Sequence, residues 1–154
     1  MAYLLGIDIG TSGTKVIAID ESGKLAASAS AHYELSTPRP LWAEQNALDW
    51  WEATCKCCRE IVAQIGADEI AGVGLSGQMH GLVMLDAAHE VLRPAILWCD
   101  QRTAAECDWI TEKVGKDLLV SETANPVLTG FTAPKIIWAR EHEPAIYDRA
   151  VMHL

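Results

Sequence analysis

Basic side chains are scarce in this sequence. Its 154 residues include 12 Lys and Arg against 21 Asp and Glu, which gives a formal net charge of −9. A nucleic-acid surface needs a patch of Lys and Arg to neutralise phosphates, so this composition argues against a nucleic-acid partner. A nucleotide ligand remains compatible with it, because backbone N–H groups and a divalent metal bind phosphate without a basic surface.

Long apolar runs and leader signals are also missing. No stretch approaches the roughly 20 apolar residues that span a bilayer, and Met1-Ala2-Tyr3 leads into a strand-like segment without a basic leader region. We therefore expect no membrane partner and a cytoplasmic location. The sequence has no internal repeats, linkers or low-complexity stretches. Half of the residues are apolar and 21% are charged, which is typical of a globular domain with a buried core.

The cysteines are odd in number and follow no disulfide framework. We interpret them as free thiols in a reducing compartment. Cys55 and Cys58 have the C-x-x-C spacing, but a zinc site needs a second ligand pair, and none lies at a usable spacing. Thiols in the core are the favoured interpretation, and a metal site is the minor alternative. The five cysteines are Cys55, Cys57, Cys58, Cys99 and Cys107.

The opening of the chain predicts a β-meander. Residues 4–10 and 14–20 are apolar, strand-like runs, and the tight-turn segment Thr11-Ser12-Gly13 separates them. A turn at 21–23 leads to a third strand at 24–33. Residues 34–45 contain two prolines and predict an irregular loop.

A helix is predicted after this loop. Asn46 is a natural N-cap, and Gly66 is placed to end the helix. Apolar residues recur between them at alternating steps of three and four, which predicts one buried face that includes two of the cysteines. The residues of this face are Leu48, Trp51, Cys55, Cys58, Val62 and Ile65.

The remaining segments predict a mixed α/β domain. Thr103 and Glu106 form a candidate capping box for a helix at 102–114 that ends at Gly115. The chain closes on a strand-like run at 151–154, where a domain seldom stops, so we expect the sequence to be incomplete. Further strands are predicted at 70–75, 82–85 and 95–98, and further helices at 132–141 and from Glu143-Pro144, with a loop around Asn125-Pro126.

The strongest chemical signal is the segment Asp8–Lys15, DIGTSGTK. A carboxylate at the end of a buried strand is costly unless something binds it. The turn that follows offers two hydroxyls and accessible N–H groups, which suits a phosphate cradle with an acidic anchor for hydrated Mg²⁺. The segment matches neither the Walker A loop nor the Rossmann fingerprint. From these residues alone, a plain β-hairpin with Asp8 bonded to turn amides remains an open alternative.

Several segments together resemble the FGGY carbohydrate kinases. The opening is similar to the first phosphate motif of the hexokinase–actin fold, in which a strand–turn–strand unit grips the terminal phosphates of the nucleotide. Gly74–Gly81, GLSGQMHG, resembles the sugar-binding segment of the family, and its QMHG version is similar to that of the xylulose kinases. Three more segments fit the family and follow its order along the chain, namely Pro40–Gln45, Pro94–Arg102 and Gly130–Lys135.

This resemblance implies a fold and an activity. It implies an α/β, ribonuclease H-like lobe of the hexokinase–actin fold, a mixed sheet that opens with a three-strand meander and has helices packed on it. Residues 1–154 would be the N-terminal domain, without the C-terminal lobe. The parent protein would use ATP and Mg²⁺ to phosphorylate a ketose. The first candidate reaction is the conversion of D-xylulose to D-xylulose 5-phosphate. The catalytic base of the family belongs to a later motif beyond Leu154, so we expect this chain alone to be inactive.

Roles for single residues follow from the same resemblance. Asp8 would hold the metal through water. The phosphates of ATP would face Thr11, Ser12, Gly13 and Lys15. The sugar would contact Met79 and His80, Trp98 would line its pocket, and Asp100 and Arg102 would orient it.

Each of these residues also has a simpler interpretation. His80 could be a satisfied turn histidine, Trp98 a core residue, Asp100 a helix cap and Arg102 a solvated side chain. Cys99 departs from the Asn that xylulose kinases commonly have, and Cys is the weaker hydrogen-bond partner, so sugar preference could differ.

Two alternative functions remain open at this point. One is another kinase of the family, acting on ribulose, an alditol or gluconate, although Met79 and His80 replace an Arg-Glu pair of glycerol kinases and so argue against glycerol. The other is a non-catalytic sugar-binding relative. Whether the protein forms a homodimer is also left open. For a kinase we expect Asp8 and His80 to face one cleft.

Overall fold

The structure is a computed structural model that describes residues 2–154. It contains strands and helices in mixed order. The strands are β1 Tyr3–Ile9, β2 Gly13–Asp20, β3 Leu25–His32, β4 Glu44–Gln45, β5 Ile70–Gly77, β6 Met84–Leu85, β7 Ala95–Ile96 and β8 Met152–His153. The α-helices are α1 Ala47–Ile65, α2 Ala104–Val114, α3 Lys116–Thr123, α4 Thr132–His142 and α5 Pro144–Tyr147, and a short 3₁₀ helix covers Ala67–Glu69.

The described residues form two compact units. Unit 1 comprises the chain up to Leu35 together with Leu48–Gln78, and unit 2 comprises Ser36–Ala47 and Met79–Leu154. None of the helices in residues 2–154 is long and apolar enough to cross a bilayer.

Unit 1 is built on a four-stranded sheet with the order β3-β2-β1-β5. β1 and β2 pair antiparallel, as do β2 and β3, and β5 lies parallel to β1. The predicted meander is therefore confirmed. The alanines of β3 are weak strand formers, yet their small side chains let α1 approach one face of the sheet. The core of this layer consists of Leu5, Val16, Ala18, Ala27, Ala29, Cys57 and Ile61.

The predicted buried face of α1 is wrong at Leu48 and Trp51, whereas Cys58 and Ile65 are partly buried against the core of unit 1. Leu48 and Trp51 are 53% and 68% exposed, and Cys55 and Cys58 are only half-buried, while Cys57 is fully buried. The helix carries apolar residues on more than one face, and the alanine-lined sheet accepts the face with the smaller side chains. The buried residues of α1 are Ala53, Thr54, Cys57 and Ile61.

Unit 2 joins two short antiparallel ribbons, β4–β7 and β6–β8, to α2, α3, α4 and α5. The predicted helices that became α2, α4 and α5 are confirmed, and Gly115 follows α2 with a positive φ of 90°. Neither α3 nor β4 was predicted. The core of unit 2 is formed by Leu82, Met84, Ile96, Trp138 and Ala139.

The predicted capping box at the start of α2 is wrong. The Thr103 hydroxyl donates to the carbonyl oxygen of Thr129 at 3.4 Å and makes no cap bond to the helix. The Glu106 carboxylate lies 3.3 Å from Nε2 of His142. Both side chains are buried, so tertiary partners from α4 and from the loop before it replace the local reciprocal bonds.

Candidate functional site

A short, rigid turn joins β1 to β2 in unit 1. The Gly10 N–H donates to the carbonyl oxygen of Gly13 at 3.0 Å, which closes the turn. Gly13 has to be glycine, because a Cβ there would lie 2.5 Å from the carbonyl oxygen of Ala31 in β3. The Tyr33 hydroxyl donates to the Gly10 carbonyl oxygen, and a ring nitrogen of His32 lies 3.2 Å from the carbonyl oxygen of Ser12. The backbone of the turn is thus held by the last residue of β3 and by the residue that follows it.

Gln78, directly after β5, supports the same turn from the other side. Its N–H donates to the carbonyl oxygen of Ile9 at 2.8 Å. The Thr11 hydroxyl donates to Oε1 of Gln78 at 3.2 Å. The neighbouring hydroxyl, that of Ser12, belongs to an exposed residue. The turn therefore exposes the Ser12 hydroxyl on a backbone that is held on both sides, which is compatible with a phosphate site.

Asp8 lies at the end of β1 directly opposite Lys15 of β2. Asp8 is exposed, so the argument that a buried carboxylate here needs a ligand is wrong. β1 buries only one side, and Asp8 points to the open side. It lines an open groove of about 410 Å³ together with Lys15, Gly6 and Gly74. The carboxylate oxygens of Asp8 are suitable ligands for a hydrated Mg²⁺. Burial, together with the negative charge of Asp8, raises the pKa of the nearby Tyr33 hydroxyl.

His80, near the start of the second segment of unit 2, has an unusual backbone. Its φ is 63°, in the left-handed region that is strained for residues with a Cβ. The exposed ring meets the ring of Phe131 edge-on, with 4.9 Å between centroids. It lines a cavity of about 420 Å³ to which Asn125 and Thr132 contribute polar groups. Met79 beside it is 69% exposed. Both side chains are accessible to a ligand.

Trp98 is 49% exposed, so its interpretation as a pure core residue is wrong. The loop that carries it packs tightly against Gly130, where a Cβ would lie 2.9 Å from the Trp98 carbonyl oxygen. The half-exposed indole can offer an apolar wall to a ligand, while its backbone is fixed by this close approach.

Asp100 and Arg102 are buried and bonded to each other. Their side chains are 0% and 1% exposed, so the interpretation of Arg102 as a solvated residue is wrong. Nη2 of Arg102 lies 2.8 Å from Oδ2 of Asp100, and Nε lies 3.0 Å from both carboxylate oxygens. The carboxylate also accepts the N–H of Ala43 at 2.7 Å and that of Arg102 at 2.9 Å. The pair holds the 98–102 loop from within.

This pair belongs to a larger charged network that the sequence analysis missed. Nη2 of Arg102 also lies 2.8 Å from Oε1 of Glu44, and its guanidinium lies 3.6 Å from the ring centroid of Trp42. Arg93 bridges Glu44 at 2.6 Å and Glu143 at 2.7 Å. The motif segment Pro40–Gln45 contains Trp42 and Glu44 and was the signal that pointed to this region.

Lys135 lies in the first turn of α4, and the sequence analysis named its segment but gave this residue no role. It is fully buried, and its Nζ donates to the carbonyl oxygens of His80 and Gly130, both at 2.6 Å. Burial lowers the pKa of Lys135 to about 8, and the negative charge of Asp100 opposes this shift.

The candidate residues fall into two groups. Asp8 and the turn residues Thr11, Ser12, Gly13 and Lys15 lie in unit 1, and Met79, His80, Trp98, Asp100 and Arg102 lie in unit 2. The expectation that Asp8 and His80 face one cleft stays a prediction. Within residues 2–154, no group of three or more His, Cys, Asp or Glu side chains could hold a metal ion together.

Comparison with known families identifies the family of this chain. The model of the N-terminal domain of the FGGY family of carbohydrate kinases matches residues 3–154. The chain belongs to this family. The predicted resemblance is thereby confirmed.

The similar proteins include several xylulose kinases. The xylulose kinase of Bacillus subtilis (strain 168) is 44% identical over 156 residues, covering 100% of this chain and 31% of that protein. The xylulose kinase of Escherichia coli (strain K12) is 43% identical over 143 residues, covering 93% of this chain and 29% of that protein. This FGGY chain therefore spans about 30% of the length of the curated relatives it matches.

A solved structure supports the fold. The crystal structure of xylulose kinase from Rhodospirillum rubrum matches with a TM-score of 0.94 and 29% identity, over 98% of this chain and 31% of that one. The predicted fold class, an α/β lobe with a meander-led mixed sheet and helices packed on it, is confirmed.

Proposed function

We propose that this FGGY chain is the N-terminal part of an ATP-dependent ketose kinase that converts D-xylulose to D-xylulose 5-phosphate. The observation that carries the proposal is the exposed Met79-His80 pair beside a cavity, in a chain more than 40% identical to two xylulose kinases. The xylulose-type motif thus lies at an accessible surface where a ligand can reach it.

In this proposal unit 1 binds the phosphates. The N–H groups and hydroxyls at Thr11, Ser12 and Gly13 would hold the terminal phosphates of ATP, and Lys15 would add a positive charge. The exposed carboxylate of Asp8 would hold Mg²⁺ through water. When bound, Mg²⁺ neutralises charge on the phosphoryl group that is transferred.

Unit 2 would bind the sugar. The His80 ring offers a donor and an acceptor to hydroxyl groups, Met79 and the Trp98 indole offer apolar contact, and the buried Asp100–Arg102 pair would orient the sugar by holding the loop that carries Trp98. The proton of the attacking hydroxyl has no acceptor that we assign in this chain. We therefore expect no turnover from these 154 residues alone, and a cytoplasmic location stays a prediction.

A coupled ADP-release assay on the full-length natural protein tests the proposal. The panel is D-xylulose, D-ribulose, xylitol, gluconate and glycerol, and we expect the highest kcat/KM for D-xylulose. His80→Ala should lower kcat/KM for the sugar about 10- to 100-fold, the loss expected when polar contacts to a substrate are removed. His89→Ala is the matched control, because His89 is also exposed and has a φ of 64°.

Three results would contradict the proposal. A different preferred substrate would point to another kinase of the family. Sugar binding by calorimetry without ADP release would favour a non-catalytic relative. Turnover by the 154-residue chain alone would show that the proton acceptor lies within it.

A further inference from the structure

A lysine ammonium is an expensive group to bury in unit 2. Lys135 is among the largest fully buried side chains of the described residues, and desolvation disfavours its charged form. A methionine fills similar space without this cost, so packing alone does not account for the ammonium. What the ammonium adds is two short hydrogen bonds, at 2.6 Å each, to main-chain carbonyl oxygens of two different segments.

The first acceptor is the carbonyl of His80. The left-handed backbone of His80 costs free energy, since its Cβ crowds the following carbonyl. A hydrogen bond from the charged Lys135 ammonium stabilises the orientation that the strained backbone gives to the His80 carbonyl. His89 shows the contrast: its φ is 64°, but its N–H closes a local turn to Asp86 at 2.9 Å. At His80, the hydrogen bond to the carbonyl comes from the distant helix α4.

The second acceptor is the carbonyl of Gly130. Gly130 lies so close to the Trp98 backbone that any Cβ would clash with the carbonyl oxygen. The next residue, Phe131, packs on the His80 ring. One ammonium therefore joins the segment that carries His80 to the segment that fits against Trp98 and supports the His80 ring.

We propose that Lys135 is a positioning residue of the sugar site, which fixes the His80 backbone and the Gly130–Trp98 contact in the arrangement that binds the sugar. This inference rests on the proposed function. Lys135 acts through its two carbonyl partners.

Steady-state kinetics of the full-length natural protein with Lys135→Met test the inference. We expect KM for the preferred ketose to rise about tenfold or more, as for the loss of one charge-assisted hydrogen bond, while KM for ATP changes less than about twofold. Lys113→Met, on the exposed side of α2, is the control and should change neither value. A merely structural role would lower Tm without separating the two KM values.

A double-mutant cycle gives a second readout. If Lys135 acts through His80, Lys135→Met combined with His80→Ala should raise the sugar KM by less than the product of the two single effects. Effects that multiply fully would overturn the inference. If Lys135→Met does not fold, Lys135→Arg carries the test. Its planar guanidinium is larger than the ammonium that the fully buried site holds, so it cannot reproduce both hydrogen bonds without moving the two carbonyls, and an unchanged sugar KM in that variant would overturn the inference.

Failure of this inference is distinguishable from failure of the proposed function. A wild-type protein that phosphorylates no member of the sugar panel overturns both. If the wild type is active but Lys135→Met has the same ratio of sugar KM to ATP KM as the wild type, only the positioning role is overturned.

Discussion

Replacing Arg102 by methionine should strongly destabilise the chain. Arg102 contacts two carboxylates, Asp100 and Glu44, each with a distance of 2.8 Å. The side chain of Asp100 is 0% exposed and that of Glu44 is 11% exposed. Removing the guanidinium leaves Asp100 with its two N–H donors and the more distant attraction of the buried Lys135, while Glu44 keeps Arg93.

The magnitude follows from this burial. Breaking a buried pair by removing one partner typically costs about 3–5 kcal/mol, because an uncompensated charge remains. Domains of this kind have unfolding free energies of about 5–15 kcal/mol, so the variant could lose most of its stability. The matched control is Arg140→Met, since Arg140 pairs with Glu141 at 3.0 Å but the two side chains are 46% and 51% exposed. Exposed pairs contribute less than about 1 kcal/mol.

Urea unfolding followed by tryptophan fluorescence and circular dichroism measures both variants. Adding Asp100→Asn to Arg102→Met should restore part of the lost stability, because the second change removes the charge that was left unpaired. The reasoning would be refuted if Arg102→Met lowered the unfolding free energy no more than Arg140→Met does.

Two further predictions concern the turn and the buried lysine. Gly13→Ala places a methyl group 2.5 Å from a carbonyl oxygen of β3, and urea unfolding should show a loss of about 1–3 kcal/mol. Gly74→Ala, whose Cβ would lie 3.9 Å from its nearest neighbour, should change stability by only about 0.5 kcal/mol, and equal losses would argue against the clash. Burial lowers the pKa of Lys135 from 10.5 to about 8, so between these pH values the unfolded chain binds more protons than the folded one. The unfolding free energy should therefore rise across this range, by up to about 3 kcal/mol, relative to Lys135→Met. A constant difference between the two proteins would contradict the shift.

The local features of this chain could be predicted from its sequence. The turn between β1 and β2 follows from two apolar runs that flank Thr11-Ser12-Gly13, and the meander follows from the short connections. The positive φ at the C-cap of α2 follows from Gly115. The family resemblance added the positions that could contact a ligand. All of these signals lie within a few neighbouring residues, which is why a single sequence carries them.

Features that depend on tertiary partners could not be predicted. The face that α1 buries is selected by the alanines of the sheet, which the helix pattern does not contain. Glu44 lies 49 positions from Arg93 and Lys135 lies 55 positions from His80, so spacing gives no sign of either contact. Helix α3 was missed because it is short, without a strong apolar face, and ends at a left-handed Ala124 where a glycine or asparagine signal is expected.

The cations of Arg93, Arg102 and Lys135 are paired inside the chain, so they contribute little to attracting a polyphosphate from solution. These three cations contact internal carboxylates and carbonyl oxygens, and the formal charge of the whole chain is −9. The long-range field therefore repels an approaching nucleotide instead of steering it. Added salt screens such repulsion, so under the proposed function the encounter should become faster as ionic strength rises, and capture would depend on the short-range groups of the Gly10–Gly13 turn.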